Sequence, residues 1–260
     1  GILRYGIPEF RLPKSILDGY QAKLGDLGIH IRPNTTIGAV LMIDNLFRDG
    51  YKSVFIGTGA EKPKSLGIRG ETLGNVYFGL NYLANPQGHK LGDRVAVIGM
   101  GNAAMDVART ALRQGARHVI LFARGKRIMA SSNEVDYARL DGAEFVFGKQ
   151  IQYIDENGPV FKTSIFDEEG HIVGFEEELE HIHADSVIIS VSQMPRKKLV
   201  RTTDGLQADD RGNLIIDDQF MTTRPGVFAA GDVTTGPKTV VHAVEAAKQA
   251  AEAMDAYMRV

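Results

Sequence analysis

RVAVIGMGNAAMD, residues 94–106, is the stretch on which the reading of the chain turns. Val95 to Ile98 form a continuous apolar run that ends at Gly99-Met100-Gly101, and small residues follow. A run this short, stopped by glycine, reads as a strand. The turn after it fits G-x-G-x-x-A. Gly99 permits the tight bend, Gly101 lets backbone come close to a pyrophosphate, and Ala104 is small enough for close helix–strand packing. A helix opening at Asn102 points free backbone N–H groups toward such an anion. The same pattern also serves as a plain strand-to-helix turn, so its surroundings decide what it is for.

The pattern continues as strand 94–98, helix 102–114 and strand 118–122, a βαβ unit of about 30 residues. Sites for NAD usually place Asp or Glu at the end of the second strand, against the ribose hydroxyls. Here the residues are Phe122-Ala123-Arg124-Gly125-Lys126-Arg127, three cations and no acid. An acid would repel a 2′-phosphate, whereas Arg124 and its neighbours Lys126 and Arg127 attract one. A solvated basic loop is the alternative. The pattern favours NADP(H).

Working outward, residues 14–27 predict a helix, with Ile16, Leu17, Tyr20, Leu24 and Leu27 on one face and Pro13 at its entrance. A short strand at 29–32 and an amphipathic segment at 43–47 follow. Strand 53–56 ends in the glycine turn Gly57-Thr58-Gly59-Ala60. After the βαβ unit come helix 133–140 and strand 144–147. Segments 151–154, 159–166 and 171–175 alternate with turn signals and predict an antiparallel meander covering one face of a sheet. Strands 185–191, 213–216 and 227–230 lead to a long helix, 239–258. Alternating β and α elements with apolar strands predict an α/β fold with doubly wound parallel sheets.

Composition narrows the chemistry. A hydrophobic share of 43% and a charged share of 24% suit a soluble globular chain. A net charge of -2 gives no reason to expect nucleic acid or an anionic membrane as partner. No apolar run is long enough to span a bilayer, and the N-terminus lacks a secretory core, which makes the cytoplasm the default expectation. Zero cysteine excludes disulfides, thiolate metal sites and cysteine-held iron–sulfur clusters within these 260 residues. Redox chemistry here requires a bound organic cofactor. His181 and His183 share a strand face but lack a third ligand, so no metal site is expected. No side chain stands out as an acid–base catalyst.

A second strand-end signal lies at Pro225-Gly226-Val227-Phe228-Ala229-Ala230-Gly231-Asp232, with a helix opening at Thr239. Asp232 there serves either as a cap or as an acceptor for cofactor hydroxyls. Gly57-Thr58-Gly59 is ambiguous in the same way. Together with LRYGIPEFRLPK (3–14), VFIGTGAEKPKSLGIRGE (54–71), VAVIGMGNAAMDVARTALRQGA (95–116) and TRPGVFAAGDVTTGPKTVV (223–241), these stretches carry a resemblance. The chain resembles the pyridine-nucleotide-dependent flavoprotein oxidoreductases of the glutamate synthase small-subunit type. It is similar to the modules of dihydropyrimidine dehydrogenase and of ferredoxin–NADP transhydrogenases.

The resemblance implies two Rossmann-like three-layer domains, an NADPH-binding domain at 91–194 inserted into a partial FAD-binding domain at 1–90 and 195–260. Gly99, Gly101, Asn102, Ala103 and Ala104 would bind the NADPH pyrophosphate, and Arg124 with Lys126 or Arg127 its 2′-phosphate. Thr58 and Gly59 would lie near FAD. Gly231 and Asp232 would contact its ribityl–pyrophosphate, and the helix start at Thr239 and Val240 would face the flavin ring. The implied activity passes a hydride from NADPH to FAD, with electrons going on to iron–sulfur centres on other domains or subunits. The rival is a module that binds NADP(H) without flavin. Two substitutions depart from the pattern: Ala123 replaces the first of two paired arginines, and Ser192 replaces a glycine before Gln193. The first FAD fingerprint of the family and its cysteine-rich domain are expected upstream of Gly1.

Overall fold

The computed structural model describes residues 1–259, which divide into two compact units. One is built from Gly1–Leu24 and Pro63–Val191, the other from Gly25–Lys62 and the residues from Ser192 onward. Each unit is thus assembled from two separate stretches of chain.

The first unit holds a five-stranded parallel sheet in the order Val76–Phe78, Ser186–Ile189, Arg94–Ile98, His118–Phe122, Glu144–Val146. Its central strand shows why residues 95–98 are apolar without interruption. Val95 and Val97 point into a core with Tyr82, Met105, Val107 and Val135. Ala96 and Ile98 point the other way, into a core with Phe122, Ile154, Phe161 and Val187. Side chains alternate across a strand, so burial on both faces leaves no position for a polar residue. Helices Gly79–Ala84, Asn102–Arg113 and Ser132–Leu140 supply the first core. The antiparallel sheet Lys149–Asp155, Gly158–Phe166, Ile172–His181 covers the second face, as its turn pattern predicts. The stacked rings of Phe122 and Phe161, 4.7 Å between centroids, join the two sheets.

The strand Val76–Phe78 and the helix after it are absent from the sequence reading. Three residues running into Gly79 are too short to show a period. Pairing with Ser186–Ile189 draws this strand into the first unit, whose second stretch begins at Pro63.

In the second unit, Val54–Ile56 pairs in parallel with Val227–Ala229, Ile56 opposite Ala229. Ile43, Ile56, Leu206, Leu214, Val227, Ala229 and Val233 form its core. The long C-terminal helix runs Val240–Arg259. Two expected strands do not form. Among the described residues, 29–32 find no strand to pair with and leave Ile29 and Ile31 half exposed, while 213–216 contribute only single bridges to Ala208 and Thr222. The helix Lys14–Asp26 forms with no buried residue, so its expected apolar face lies open. Among the described residues no helix is long and apolar enough to cross a membrane.

Candidate functional site

The two glycines of the first turn are glycine for different reasons. Gly99 has φ 131°, and a Cβ there would stand 2.3 Å from the Ser190 carbonyl oxygen. The sheet itself demands that glycine. Gly101 has an ordinary φ of -92°, and a Cβ there would meet nothing within 4 Å. No contact inside the protein explains it, whereas a phosphate brought against the backbone would fill that space. Ala104 is fully buried in the helix–strand core, the packing role its position implies.

The helix Asn102–Arg113 begins without a side-chain cap. The Ala104 and Met105 N–H groups donate to the Gly101 carbonyl at 2.9 and 3.1 Å. Asn102 and Ala103 are then the N–H groups left for an anion. The Asn102 side chain is engaged elsewhere: its Oδ1 accepts from the Ser131 N–H at 3.0 Å. The Met129 and Ala130 N–H groups donate to the Met100 carbonyl, both at 3.0 Å. These bonds hold the loop that follows strand His118–Phe122 beside the glycine turn. That loop carries Arg124, Lys126 and Arg127, all exposed, and none forms an ion pair among the described residues. The loop that carries the cations is therefore hydrogen-bonded to the glycine turn and to the helix start.

A chain of charges along the helix Asn102–Arg113, buried at Asp106 and Arg109 and open at Arg113, escapes the sequence reading. Arg11 donates to Asp106 Oδ2 at 2.7 Å and pairs through Nε with Glu134 at 3.0 Å. Arg109 continues to Glu134 at 3.4 Å and Asp141 at 2.9 Å, and Arg113 closes on Asp141 at 3.0 Å. The Phe10 ring lies under both Arg109 and Arg113, at 4.6 and 4.5 Å. Burial pushes the Asp106 carboxyl up to about 6 despite Arg11, and its Oδ1 has no hydrogen-bond partner among the described residues. At Asp141 burial pushes the same way, but hydrogen bonds from Arg109 and Arg113 outweigh it and hold the carboxyl below its ordinary range. The signal available in sequence was an aspartate and an arginine inside the expected helix 102–114; the aspartate's partner Arg11 lies 95 residues earlier.

In the second unit, the parallel pair sends Gly57-Thr58-Gly59 and Gly231-Asp232 off the same end, since Ile56 and Ala229 are in register. Ligands of parallel sheets gather at this carboxyl end. Gly231 has φ 81°, and Gly59 φ 68° with open space where a Cβ would stand. A cleft of about 260 Å³ lies at Gly231 and Asp232, lined also by Lys238, His242 and Gln249. It is smaller than the ~300–1,000 Å³ usual for a complete ligand pocket and suits part of one. Asp232 Oδ1 accepts from the Lys238 N–H at 3.0 Å, two residues before the long helix begins at Val240. Burial raises the Asp232 carboxyl above its ordinary range, offset in part by that N–H and the Lys238 charge. Thr239 Oγ1 lies 2.6 Å from His242 Nδ1 at the start of the long helix. Thr58, Gly59, Thr239 and Val240 are exposed or half-buried and do not line the cleft. His242 does.

The first unit has the architecture of a Rossmann-type dinucleotide-binding domain: parallel sheet, glycine turn, uncapped helix and a basic loop at the next strand end. The chain belongs to the pyridine nucleotide-disulphide oxidoreductase family, which matches residues 14–247. It is 32% identical over 290 residues to the small chain of glutamate synthase [NADPH] from Halomonas elongata, covering 100% of this chain and 61% of that protein. It is 32% identical over 264 residues to the NAD-dependent dihydropyrimidine dehydrogenase subunit PreT of Escherichia coli O157:H7, covering 99% of this chain and 60% of that one. The chain thus spans about three-fifths of the length of these relatives. Mycobacterium tuberculosis FprA in complex with NADPH shares the fold, with TM-score 0.75 and 20% identity over 100% of this chain and 74% of that one.

Proposed function

We propose that this chain is the hydride-accepting part of an NADPH-dependent flavoprotein oxidoreductase. The first unit binds NADPH and the second contributes to an FAD site. The observation that carries the reading is Gly101, where a Cβ would meet nothing within 4 Å, at an uncapped helix start tied to a loop with three cations that form no ion pair among the described residues. In this reading the Asn102 and Ala103 N–H groups hold the pyrophosphate and the helix dipole favours its charge. Arg124, with Lys126 and Arg127, holds the 2′-phosphate. One relative is named for NADPH and another for NAD; the absence of an acid at the strand end supports NADPH for this chain.

In the second unit, Gly231 and Asp232 fit the hydroxyls and phosphates of a second dinucleotide. Thr58, Gly59 and the helix start at Thr239 and Val240 border the same strand ends. A bound flavin supplies the conversion from two-electron to one-electron chemistry. The residues of this chain bind, orient and exclude water, and no side chain is assigned as an acid or base. The family resemblance supports iron–sulfur centres on other domains or subunits as the acceptor.

A second reading, a module that binds NADP(H) without flavin, draws on the small size of the cleft. The two separate on one preparation. The chain is incubated with FAD and desalted, and its absorbance near ~450 nm is followed as NADPH is added without oxygen. A retained band that NADPH bleaches supports the oxidoreductase. A colourless protein that still binds NADPH supports the module.

A further inference from the structure

The antiparallel meander reads at first as a cover for one sheet face, yet its middle strand also grips the cation loop. Ser164 is 6% exposed, and its hydroxyl donates to the Arg124 carbonyl at 3.2 Å. Its own N–H donates to the Gly148 carbonyl at 2.7 Å, which fixes where that hydroxyl starts. Two residues on, the Phe166 ring carries the Lys126 ammonium 4.6 Å above its centroid. Gly148, φ 74°, makes room for the ring: a Cβ there would lie 3.0 Å from Phe166 Cε2. On the far side the Lys126 stem passes Gly170, whose missing Cβ would lie 3.7 Å from Lys126 Cδ. Main-chain bonds complete the attachment, Ala123 N–H to Val146 at 3.0 Å and Lys149 N–H to the Ala123 carbonyl at 2.8 Å.

Exposed arginine and lysine side chains around a glycine are ordinarily disordered, and ordering them costs binding free energy. We infer that Ser164 and Phe166 are positioning residues that hold Arg124 and Lys126 where a 2′-phosphate binds, and so set the preference for NADPH over NADH. The inference rests on the reading of Arg124 proposed above. The hydroxyl fixes the main chain from which Arg124 departs. The aromatic face holds one ammonium while leaving its charge unpaired, as no carboxylate could. Ser164 is buried against the Arg124 carbonyl and the Phe166 ring is covered by Lys126, so in this reading each acts through those cations on the part of affinity that comes from the extra phosphate. In this reading the meander selects the nucleotide as well as sealing the core.

The test is calorimetric titration of the full chain with NADPH and, separately, with NADH. Arg124→Ala should lower NADPH affinity at least about 10-fold with NADH nearly unchanged. Ser164→Ala should lower the NADPH-to-NADH affinity ratio roughly 2- to 10-fold, and Ser164→Thr should restore part of it. Phe166→Leu keeps an apolar contact for Gly148 but removes the ring face; it should lower the ratio about 2- to 5-fold. If Arg124→Ala lowers the ratio while Ser164→Ala and Phe166→Leu leave it intact, the positioning role is wrong. Equal losses for both nucleotides in the Ser164 and Phe166 variants would reduce these residues to packing, which also overturns it. An unchanged ratio in Arg124→Ala would overturn the 2′-phosphate assignment itself, and this inference with it. Should Ser164→Ala fail to fold, Phe166→Leu alone decides.

Discussion

Replacing Arg11 with alanine tests the buried charge chain, because Arg11 holds two carboxylates that have little other solvation. Side-chain exposure is 6% for Asp106 and 13% for Glu134, and 25% for Arg11 itself. Hydrogen bonds to charged groups contribute about 1.5–3 kcal/mol each. Breaking a buried pair costs about 3–5 kcal/mol by stranding the remaining charge. A quarter-exposed guanidinium belongs at the lower end, so the expected loss is ~3 kcal/mol at pH 8. The loss should depend on pH. The Asp106 carboxyl rises from 3.8 to about 6 on folding. That makes it a group whose stabilising share is fully present below pH 3.8 and is lost as pH rises through about 6. The difference of about 2 units corresponds to ~3 kcal/mol at most. Without Arg11 the folded carboxyl moves higher still, because the attraction that lowered it is gone. At pH 5 the variant therefore keeps Asp106 neutral and should lose only ~1–2 kcal/mol. Urea unfolding followed by circular dichroism at pH 5 and pH 8 measures both numbers. A loss equal at the two pH values would refute the argument, and so would a pH-dependent loss that persists in Asp106→Asn.

Two further substitutions follow from backbone geometry. Gly99→Ala should destabilise by several kcal/mol or prevent folding, because its Cβ would sit 2.3 Å from the Ser190 carbonyl at φ 131°; expression yield and thermal melting read this directly. Ser192→Gly should raise stability by ~1 kcal/mol, since Ser192 is held at φ 106°, a conformation that favours glycine. A lower melting temperature for Ser192→Gly would mean that the hydroxyl makes up for the strained backbone.

The parts of the fold legible in sequence are those where one rule decides the outcome. The run Val95 to Ile98 could be read because burial on both faces leaves an unbroken apolar signature, and the meander because its turns punctuate alternating residues. Val76–Phe78 could not, since three residues carry no period and its place depends on Ser186–Ile189, over 100 residues later. The segment 29–32 has the composition of a strand and lacks a neighbour to pair with among the described residues. At the site, the glycine turn and the basic loop were visible because each is local in sequence. Arg11 with Asp106 and Ser164 with Arg124 were hidden, since each acquires its meaning from a residue that only folding brings near. Ser192 is the intermediate case: the family resemblance marked it as standing where a glycine is usual, and the backbone gives the reason.

The central claim is that Gly101 is kept for a ligand and not for the fold. Gly101→Ala and the wild-type chain should be titrated with NADPH by calorimetry, with melting temperatures recorded on the same samples. A Cβ at 101 meets nothing within 4 Å at an ordinary φ, so melting should stay within the span of ~1 kcal/mol. NADPH affinity should fall at least about 10-fold, because the methyl occupies the space the pyrophosphate needs. Unchanged affinity in a stably folded Gly101→Ala protein would contradict the account.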